Sequence, residues 1–319
     1  MKAHIRPAYA KLDPAHVFDG LFVPTSGKKR GKLLVEPRRF GDIEIGFQGF
    51  DQLGADDQSI LLAIAAQIGI NGDVIFSRPQ GPVMEQLRLA LEIRADDGAD
   101  VGSKRTSLRS LLIDAGYKDP ESGAALKRAK SSLNRLANAQ VREINHTTGW
   151  DRRSNLISTQ FNRKTGEVYV ATNPRLTGAV FTGQHVKVSL YERNELESEA
   201  AKILHCWLCS NVRLGCALGN GNGAYLDTLA PHVWGLAHEG ESKKVRSVRR
   251  GILRDALDEI ADRTRSLFDG YGWAIDRSSS DLVLISRPQE IPINEDLFGT
   301  PAGQYEAERA LMDFISTGR

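Results

Sequence analysis

With 319 residues, 41% of them hydrophobic and 26% charged, the chain has the composition of an ordinary globular protein long enough for two domains. Its 42 basic and 40 acidic residues leave a net charge of only +2, which excludes a globally cationic polyanion binder, so any nucleic-acid surface must be local. No run of about 18 apolar residues is present, and the opening MKAHIRPAYAKLDPAH lacks an apolar core; both argue against a membrane span or a secretory leader.

The first forty residues, rich in Pro, Gly and basic side chains (TSGKKRGK, EPRRF), read as an arm with at most a short strand. GDIEIGFQGF (41–50) alternates like a half-buried strand. Residues 53–69 place Ile60, Leu61, Ile64 and Ile68 at helical spacing behind Asp56 and Asp57, an acidic first turn that suits the helix dipole. QLRLALEI (86–93) alternates as a further strand, TSLRSLLIDAGY (106–117) predicts a short helix stopped by Gly116, and SGAALKRAKSSLNRLANAQ (122–140) a longer one after a turn. VREINH, NLISTQF and GEVYVAT are then successive antiparallel strands with polar turns between them.

The second half repeats this order. After the strand HVKVSL come a helix in LESEAAKILHCWLC, a short helix in AYLDTLAPHVWG, a long one in SKKVRSVRRGILRDALDEI (242–260) and a hairpin in GWAIDRSSSDLVLISRP. Leu53, Ile60 and Leu61 align with Leu196, Ile203 and Leu204, and Leu108 and Leu111 with Leu226 and Leu229. Leu126, Ala129, Leu133 and Ala137 align with Val245, Val248, Ile252 and Ala256 at one constant offset. The expected fold is α+β, mainly α, with two tandem winged-helix units. Its divisions are an N-terminal arm (1–40), a first unit (41–171), a second unit (172–288) and a C-terminal tail (289–319).

On a helical wheel Val245, Val248, Ile252 and Ala256 make an apolar seam opposite Lys243, Arg246, Ser247, Arg250 and Arg254. The matching helix presents Lys127, Arg128, Ser131, Asn134, Arg135 and Asn138 on its outer face. Acidic residues are expected to be absent from both outer faces. A basic stripe on the second helix of a helix-turn-helix suits a DNA major groove, where Arg pairs with guanine, Asn with adenine and Ser with either. A charge run is more often only a solvated surface, but the arrangement occurs twice. Phosphate contacts are expected from Lys104, Arg105 and Arg109 at the first short helix. Arg152 and Arg153 in the turn of the first wing, and Arg277 at the start of the second, complete the set.

Catalytic and metal signatures are lacking. The chain has no G-x-S-x-G, H-E-x-x-H or Walker loop, and Gly219, Gly221 and Gly223 lack the spacing of a phosphate-binding fingerprint. Cys206, Cys209 and Cys216 are an odd set within eleven positions, a poor disulfide framework that fits a reducing cytoplasm. His205, Cys206, Cys209 and Cys216 resemble zinc ligands only superficially, because Cys206 and Cys209 lie on an apolar helical run and no second knuckle follows. Neither enzymatic activity, nor a metal, nor a cofactor is expected.

The ordered set DPAH (13–16), GLF (20–22), LGADD (53–57), QLRL (86–89), GAALK (123–127), VATNP (170–174), GQHVKVS (183–189), LESEAAKILH (196–205), LDTLAPHVWG (226–235) and SRP (286–288) resembles the RepC-type replication initiators of IncQ-like broad-host-range plasmids. The resemblance covers 13–288 and is strongest from 168 onward. It implies a bacterial cytoplasmic, non-enzymatic initiator that binds direct repeats (iterons) in double-stranded DNA at the origin. It further implies opening of adjacent AT-rich DNA and admission of a plasmid-encoded helicase and primase. The DNA-reading helices map onto 122–140 and 242–261. Two reading units in one chain suit a monomer on directly repeated sites, with dimerisation in solution left open; a palindrome-binding winged-helix repressor and a protein-interaction module are the rival readings. The chain departs from the family pattern at Cys206 and in its last thirty residues, where DLFG precedes an amphipathic helix bearing Leu311, Phe314 and Ile315. That helix is expected to dock back on the protein, with Leu297 and Phe298 as an alternative replisome-docking pair.

Overall fold

The computed structural model describes residues 7–25, 29–76, 81–93, 99–181, 184–235, 241–267, 272–277 and 281–287. The tail from 288, including Leu297, Phe298, Leu311, Phe314 and Ile315, lies outside the described residues.

Strand β1 (Tyr9–Leu12) and a 3-10 turn at Pro14–Val17 open the chain, followed by β2 (Leu33–Phe40), β3 (Ile43–Gly49) and helix α1 (Ala55–Asn71). Next come β4 (Asp73–Ile75), α2 (Pro82–Ala90), β5 (Val101–Ser107), α3 (Leu108–Asp114) and α4 (Gly123–Ala137). Four strands follow: β6 (Gln140–Asn145), β7 (Trp150–Asn155), β8 (Ile157–Phe161) and β9 (Glu167–Thr172). The chain continues through α5 (Pro174–Phe181), β10 (Val186–Ser189), α6 (Leu190–Glu195), α7 (Glu199–Asn211), β11 (Ala224–Tyr225) and α8 (Leu226–Trp234). It closes with α9 (Lys243–Leu267) and the hairpin β12 (Ala274–Asp276) and β13 (Leu282–Ser286). Helices and antiparallel sheets together make the class α+β.

Two stretches share one wiring. In the first, α1, β5, α3, α4, β8 and β9 follow in that order, and the strands lie side by side as β5-β9-β8. In the second, α7, β11, α8, α9, β12 and β13 follow, and the sheet order is β11-β13-β12. In each, a strand runs directly into the short helix, and the last hairpin brings its second strand back to pair with that first strand. Leu108 and Leu226, aligned from the sequence, each open the short helix. Between α4 and β8 the first stretch carries the extra hairpin β6–β7, which extends β2–β3 into a separate sheet, β2-β3-β6-β7.

Serine caps set several helix starts. Ser107, Ser122 and Ser198 accept hydrogen bonds from the amides of Ser110, Ala125 and Ala201 at 3.1, 3.2 and 3.1 Å, satisfying amides that α3, α4 and α7 would otherwise leave open. Gly116, in the left-handed region at φ 80°, ends α3 as expected; the Tyr117 amide then reaches back to the Leu112 carbonyl at 2.9 Å.

Three sequence expectations are corrected. Residues 82–90 are helix α2, not a strand. Both patterns bury Leu87 and Leu91, but Leu89, which a strand would also have buried, is 66% exposed, and Pro82 sits in the helix's first turn, where its missing amide costs nothing. Residues 150–155, expected to hold a turn, are the edge strand β7, polar at every position after Trp150 and so without the alternation that marks a strand. The seam of α9 is also turned. Its buried residues are Leu253, Ala256, Leu257, Ile260, Ala261 and Thr264, whereas Val245, Val248 and Ile252 are exposed.

The core is continuous across both stretches. Helix α1 is buried on all sides, packing on α3, α4, α5, α7, β1 and β5, which is why its sequence is apolar all round and not along one stripe. The N-terminal arm, where described, is docked: β1 pairs with β10, and Ala10, Leu12, Phe18 and Leu21 are buried. The fully buried Arg193 of α6 bridges back to α1, donating from Nη2 to Gln58 Oε1 at 2.8 Å.

Under α7 lies a buried polar cluster. His205 Nε2 and Glu192 Oε2 are 2.7 Å apart, Trp273 Nε1 donates to the same oxygen at 3.2 Å, and Cys209 Sγ sits 3.6 Å from Nε2. These ligand-type atoms of Glu192, His205 and Cys209 lie within 4.8 Å of one another, but the short N–O contact is that of a hydrogen-bonded ion pair. Cys206 faces elsewhere in the core, its thiol pushed by burial up to about 12. Burial alone would deprotonate His205, yet Cys209 and Glu192 outweigh it and raise the imidazole to about 9. Burial likewise opposes Glu192 ionisation, but His205 and Trp273 hold its carboxyl below the usual range. A folded-state histidine pKa above the unfolded value stabilises fully at low pH and is lost on passing upward through about 9. The urea midpoint should therefore fall on the alkaline side as pH passes through about 9, and His205→Gln should remove that limb of the profile.

Candidate nucleic-acid interface

Helix α4 packs through Ala125, Ala129, Ser132, Leu133 and Leu136. With about 100° between successive residues, that buried face turns Lys127, Arg128, Ser131, Asn134 and Asn138 toward solvent, as expected from the sequence, together with Lys130, which the sequence reading passed over. The helix contains no carboxylate, and Lys127, Arg128 and Lys130 make no ion pair among the described residues. Asn138 caps the helix C-terminus, with Nδ2 donating to the Asn134 carbonyl at 2.9 Å.

Arg135 does not belong to that face. Its Nη2 and Nε donate to Asp57 Oδ1 at 2.7 and 3.0 Å, and Asp57 is buried at the start of α1. The same carboxylate accepts from Arg30 Nη1 at 2.9 Å and from the Gly54 amide at 2.8 Å. Arg135 thus latches α4 to α1.

On α9 the turned seam changes which side chains face outward. Ala129, Ser132, Leu133 and Leu136 of α4 correspond in burial to Leu253, Ala256, Leu257 and Ile260, a register five residues further on than the sequence alignment. Lys243, Lys244 and Ser247 remain exposed in the first turns. Arg246 is half-buried, and Arg249 stacks over Trp234 at 4.9 Å while pairing with Glu241 at 2.6 Å. Arg250 is bidentate on Asp227, with Nε to Oδ1 at 2.7 Å, and Arg254 pairs with Asp281 at 2.9 Å. Beyond the first turns the outer face turns acidic, with Asp255 and Asp262 exposed. The expectation of an acid-free outer face therefore holds for α4 and is corrected for α9.

The residues expected to contact phosphate divide similarly. Lys104 and Arg105 lie on β5 just before α3; Lys104 Nζ meets the Asn71 carbonyl, and Arg105 forms an ion pair with Glu167. Arg109, in the first turn of α3, pairs with Glu121 at 2.6 Å. Arg152 and Arg153 sit on β7, not in a turn; Arg152 stacks on Trp150 at 5.3 Å, and both line a cavity of about 510 Å³ with Glu143 and Arg175. Arg277 Nη2 donates to both carboxylate oxygens of Asp258, at 2.8 and 2.7 Å. The hairpin that matches the second stretch's β12–β13 is β8–β9, whose turn holds exposed Arg163 and Lys164, ordered by Asn162 Oδ1 accepting from the Lys164 amide at 3.0 Å. The N-R-K-T-G sequence carries that turn signal, masked by the non-alternating strand β7 that precedes it.

The contrast between Arg135, held by Asp57 of α1, and its solvent-facing neighbour Asn134 is measurable. Asp57→Ala should cost about 3–5 kcal/mol, since it strands two guanidinium groups, while Asn134→Ala should stay within about 0.5 kcal/mol of wild type in urea unfolding.

Residues 5–289 match the family described as Replication protein C (RepC), a span that includes both stretches, α4 and α9. No curated protein matches the chain. Among the described residues no helix is long and apolar enough to cross a membrane. A family match over most of the chain decides the matter: the protein belongs to the RepC family and is a plasmid replication protein.

Proposed function

We propose that this protein initiates plasmid replication by sequence-specific binding of duplex DNA at the origin, through two winged-helix units in tandem, and that it acts by binding and not by covalent catalysis. The observation that carries the reading is the outer face of α4, where Lys127, Arg128, Lys130, Ser131, Asn134 and Asn138 are presented without any carboxylate. Amide and hydroxyl side chains flanked by lysines and an arginine are what base-edge recognition between phosphate contacts requires. The repeated strand–helix–helix–hairpin wiring supports a winged helix in each stretch, with α4 and α9 as second helices. Arg163 and Lys164 then sit at the tip of the first wing, placed for phosphate or minor-groove contact.

The two helices contribute unequally. Helix α4 offers polar side chains along its length, whereas α9 offers Lys243, Lys244 and Ser247 at its start, with Arg250 and Arg254 engaged by Asp227 and Asp281. Recognition helices contact base edges mainly with their N-terminal residues, so this shorter surface is compatible with groove entry. One chain gripping successive major grooves, about 34 Å apart, suits directly repeated sites. Opening of AT-rich DNA and recruitment of a plasmid-encoded helicase and primase follow in this proposal as consequences of origin binding.

Footprinting on the protein's own replicon provides the test. Protection of direct repeats supports the initiator; protection of a single palindrome would replace it with a repressor. In titrations against the protected site, Asn134→Ala should cost about 1–3 kcal/mol on the specific sequence and little on random DNA, whereas Lys127→Ala should weaken both equally and lower the salt slope by about one. Unchanged affinity in both variants would remove α4 from the interface.

A further inference from the structure

The turned seam of α9 leaves an unexplained surface. Val245, Val248 and Ile252 are 40%, 57% and 40% exposed, yet their spacing of three and four places them on one ridge. Single exposed apolar side chains are ordinary, but a ridge of three on the first turns of a helix is a docking feature. The helix packs on α6, α7 and α8 through its other face, so the ridge is not consumed by the fold. It lies among Lys243, Lys244, Arg246 and Arg249; with Arg249 paired to Glu241 and Asp255 exposed one turn beyond Ile252, the positive border is strongest at the first turns.

The chain itself carries the complement. Residues 288–319 hold six acidic side chains, Glu290, Glu295, Asp296, Glu306, Glu308 and Asp313, against two basic ones, Arg309 and Arg319. Within them Ala307, Leu311, Phe314 and Ile315 recur at the spacing of one helical face. Reach is ample. Strand β13 begins beside Asp281, which contacts Arg250 and Arg254 of α9 at 3.5 and 2.9 Å. Six residues of strand place Arg287 within about 20 Å of that contact, and the connection onward to Leu311 can span roughly 80 Å when extended. The ridge lies within about 15 Å of Arg254 along the helix axis.

We propose that the C-terminal segment folds back so that Leu311, Phe314 and Ile315 cover Val245, Val248 and Ile252, its carboxylates facing the lysines and arginines at the start of α9. In that position it shields the residues assigned above to DNA, so the tail and DNA compete for one surface. This rests on the reading of α9 as the second DNA-contacting helix. Tethering makes a weak contact sufficient: at an effective concentration of about 1 mM, an intrinsic dissociation constant near 0.1 mM keeps the ridge about 90% covered and lowers apparent DNA affinity roughly tenfold.

The test compares the full chain with one ending at residue 288 and with the full-length double variant Leu311→Asp/Phe314→Asp, which guards against a folding defect in the truncation. Without DNA, hydrogen exchange across 243–254 should quicken in both altered proteins while exchange in α1 stays unchanged. Affinity for a mixed-sequence DNA duplex at low salt should rise about tenfold in both, and a synthetic peptide of residues 300–319 added to the truncated protein should reverse each effect. Equal exchange in all three proteins overturns the docking, as does protection that grows with protein concentration, which would assign the ridge to a second copy. Faster exchange without an affinity gain overturns the competition if Lys243→Ala/Lys244→Ala still weakens DNA binding. If that lysine variant also leaves DNA binding unchanged, the DNA role of α9 fails and the docking stands by itself.

Discussion

The carboxylate of Asp57 fixes the geometry on which the proposed interface depends. It is fully buried, and it is tolerated there because its lone pairs are filled by the Gly54 amide, Arg30 and both donors of Arg135. A buried carboxylate with fewer partners would cost more in desolvation than it recovers. Closing this contact does three things at once. It ends the first turn of α1, ties the segment before α1 to the core through Arg30, and sets the rotation of α4 about its own axis. With Arg135 held inward, Asn134 and Asn138 are turned to solvent by helical geometry alone. Glycine at 54 leaves room for this contact, since a Cβ there would lie 2.5 Å from Thr25 Oγ1 and 3.3 Å from the Arg30 guanidinium and would displace the Thr25 side chain.

The second stretch solves the same problem with opposite chemistry. In the register set by burial, Arg135 of α4 corresponds to Glu259 of α9. Glu259 also latches the long helix to the start of the first helix of its stretch, but as an acceptor, taking the amides of Glu197 and Ser198. The latch is common to both stretches, and the sign of the side chain is not. A helix dipole explains why either works: an anion near an N-terminus is favourable, whether it is α1's own Asp57 neutralised by Arg135 or a carboxylate supplied from α9 to α7. The outer faces then diverge, because Ser131, Asn134 and Asn138 correspond to Asp255, Asp258 and Asp262. A duplication of wiring has therefore not duplicated the surface, and contact with DNA along the whole of α9 would set these carboxylates against phosphates.

The order of the main helices in both stretches was legible because capping serines, glycine stops and apolar spacing are local signals, whereas helix α2 and strand β5 were not. The alignment of Leu108 with Leu226 was confirmed to the residue. Less accessible was the rotation of α9. Its sequence carries two apolar stripes that share Ala256, one through Val245, Val248 and Ile252 and one through Leu253, Leu257 and Ile260. Periodicity scores both alike; the contacts with α7 and α8 select the second. The role of Arg135 was hidden for a related reason, since its partner Asp57 lies 78 residues away and a wheel contains no information on what faces it. Strand β7 was missed because an edge strand facing solvent on both sides need not alternate.

Near-neutral charge and the proposed nucleic-acid surface are reconciled by where the acids lie. Arg105, Arg109, Arg135, Arg250, Arg254 and Arg277 are each engaged by a carboxylate, and Arg105, Arg135 and Arg250 thereby bridge separate elements, so much of the basic content serves the fold. Exposed basic side chains remain on α4, in the first turns of α9 and in the β8–β9 turn, as they do at Lys29, Lys32 and Arg39. Such local potential, and not net charge, determines how a duplex is steered and gripped, and at physiological ionic strength its reach is about 8 Å. A protein built this way gains selectivity from its own acids. On the proposed reading, DNA that does not match the spacing of these patches would meet carboxylates instead, which would weaken non-specific association more than binding at a site that fits.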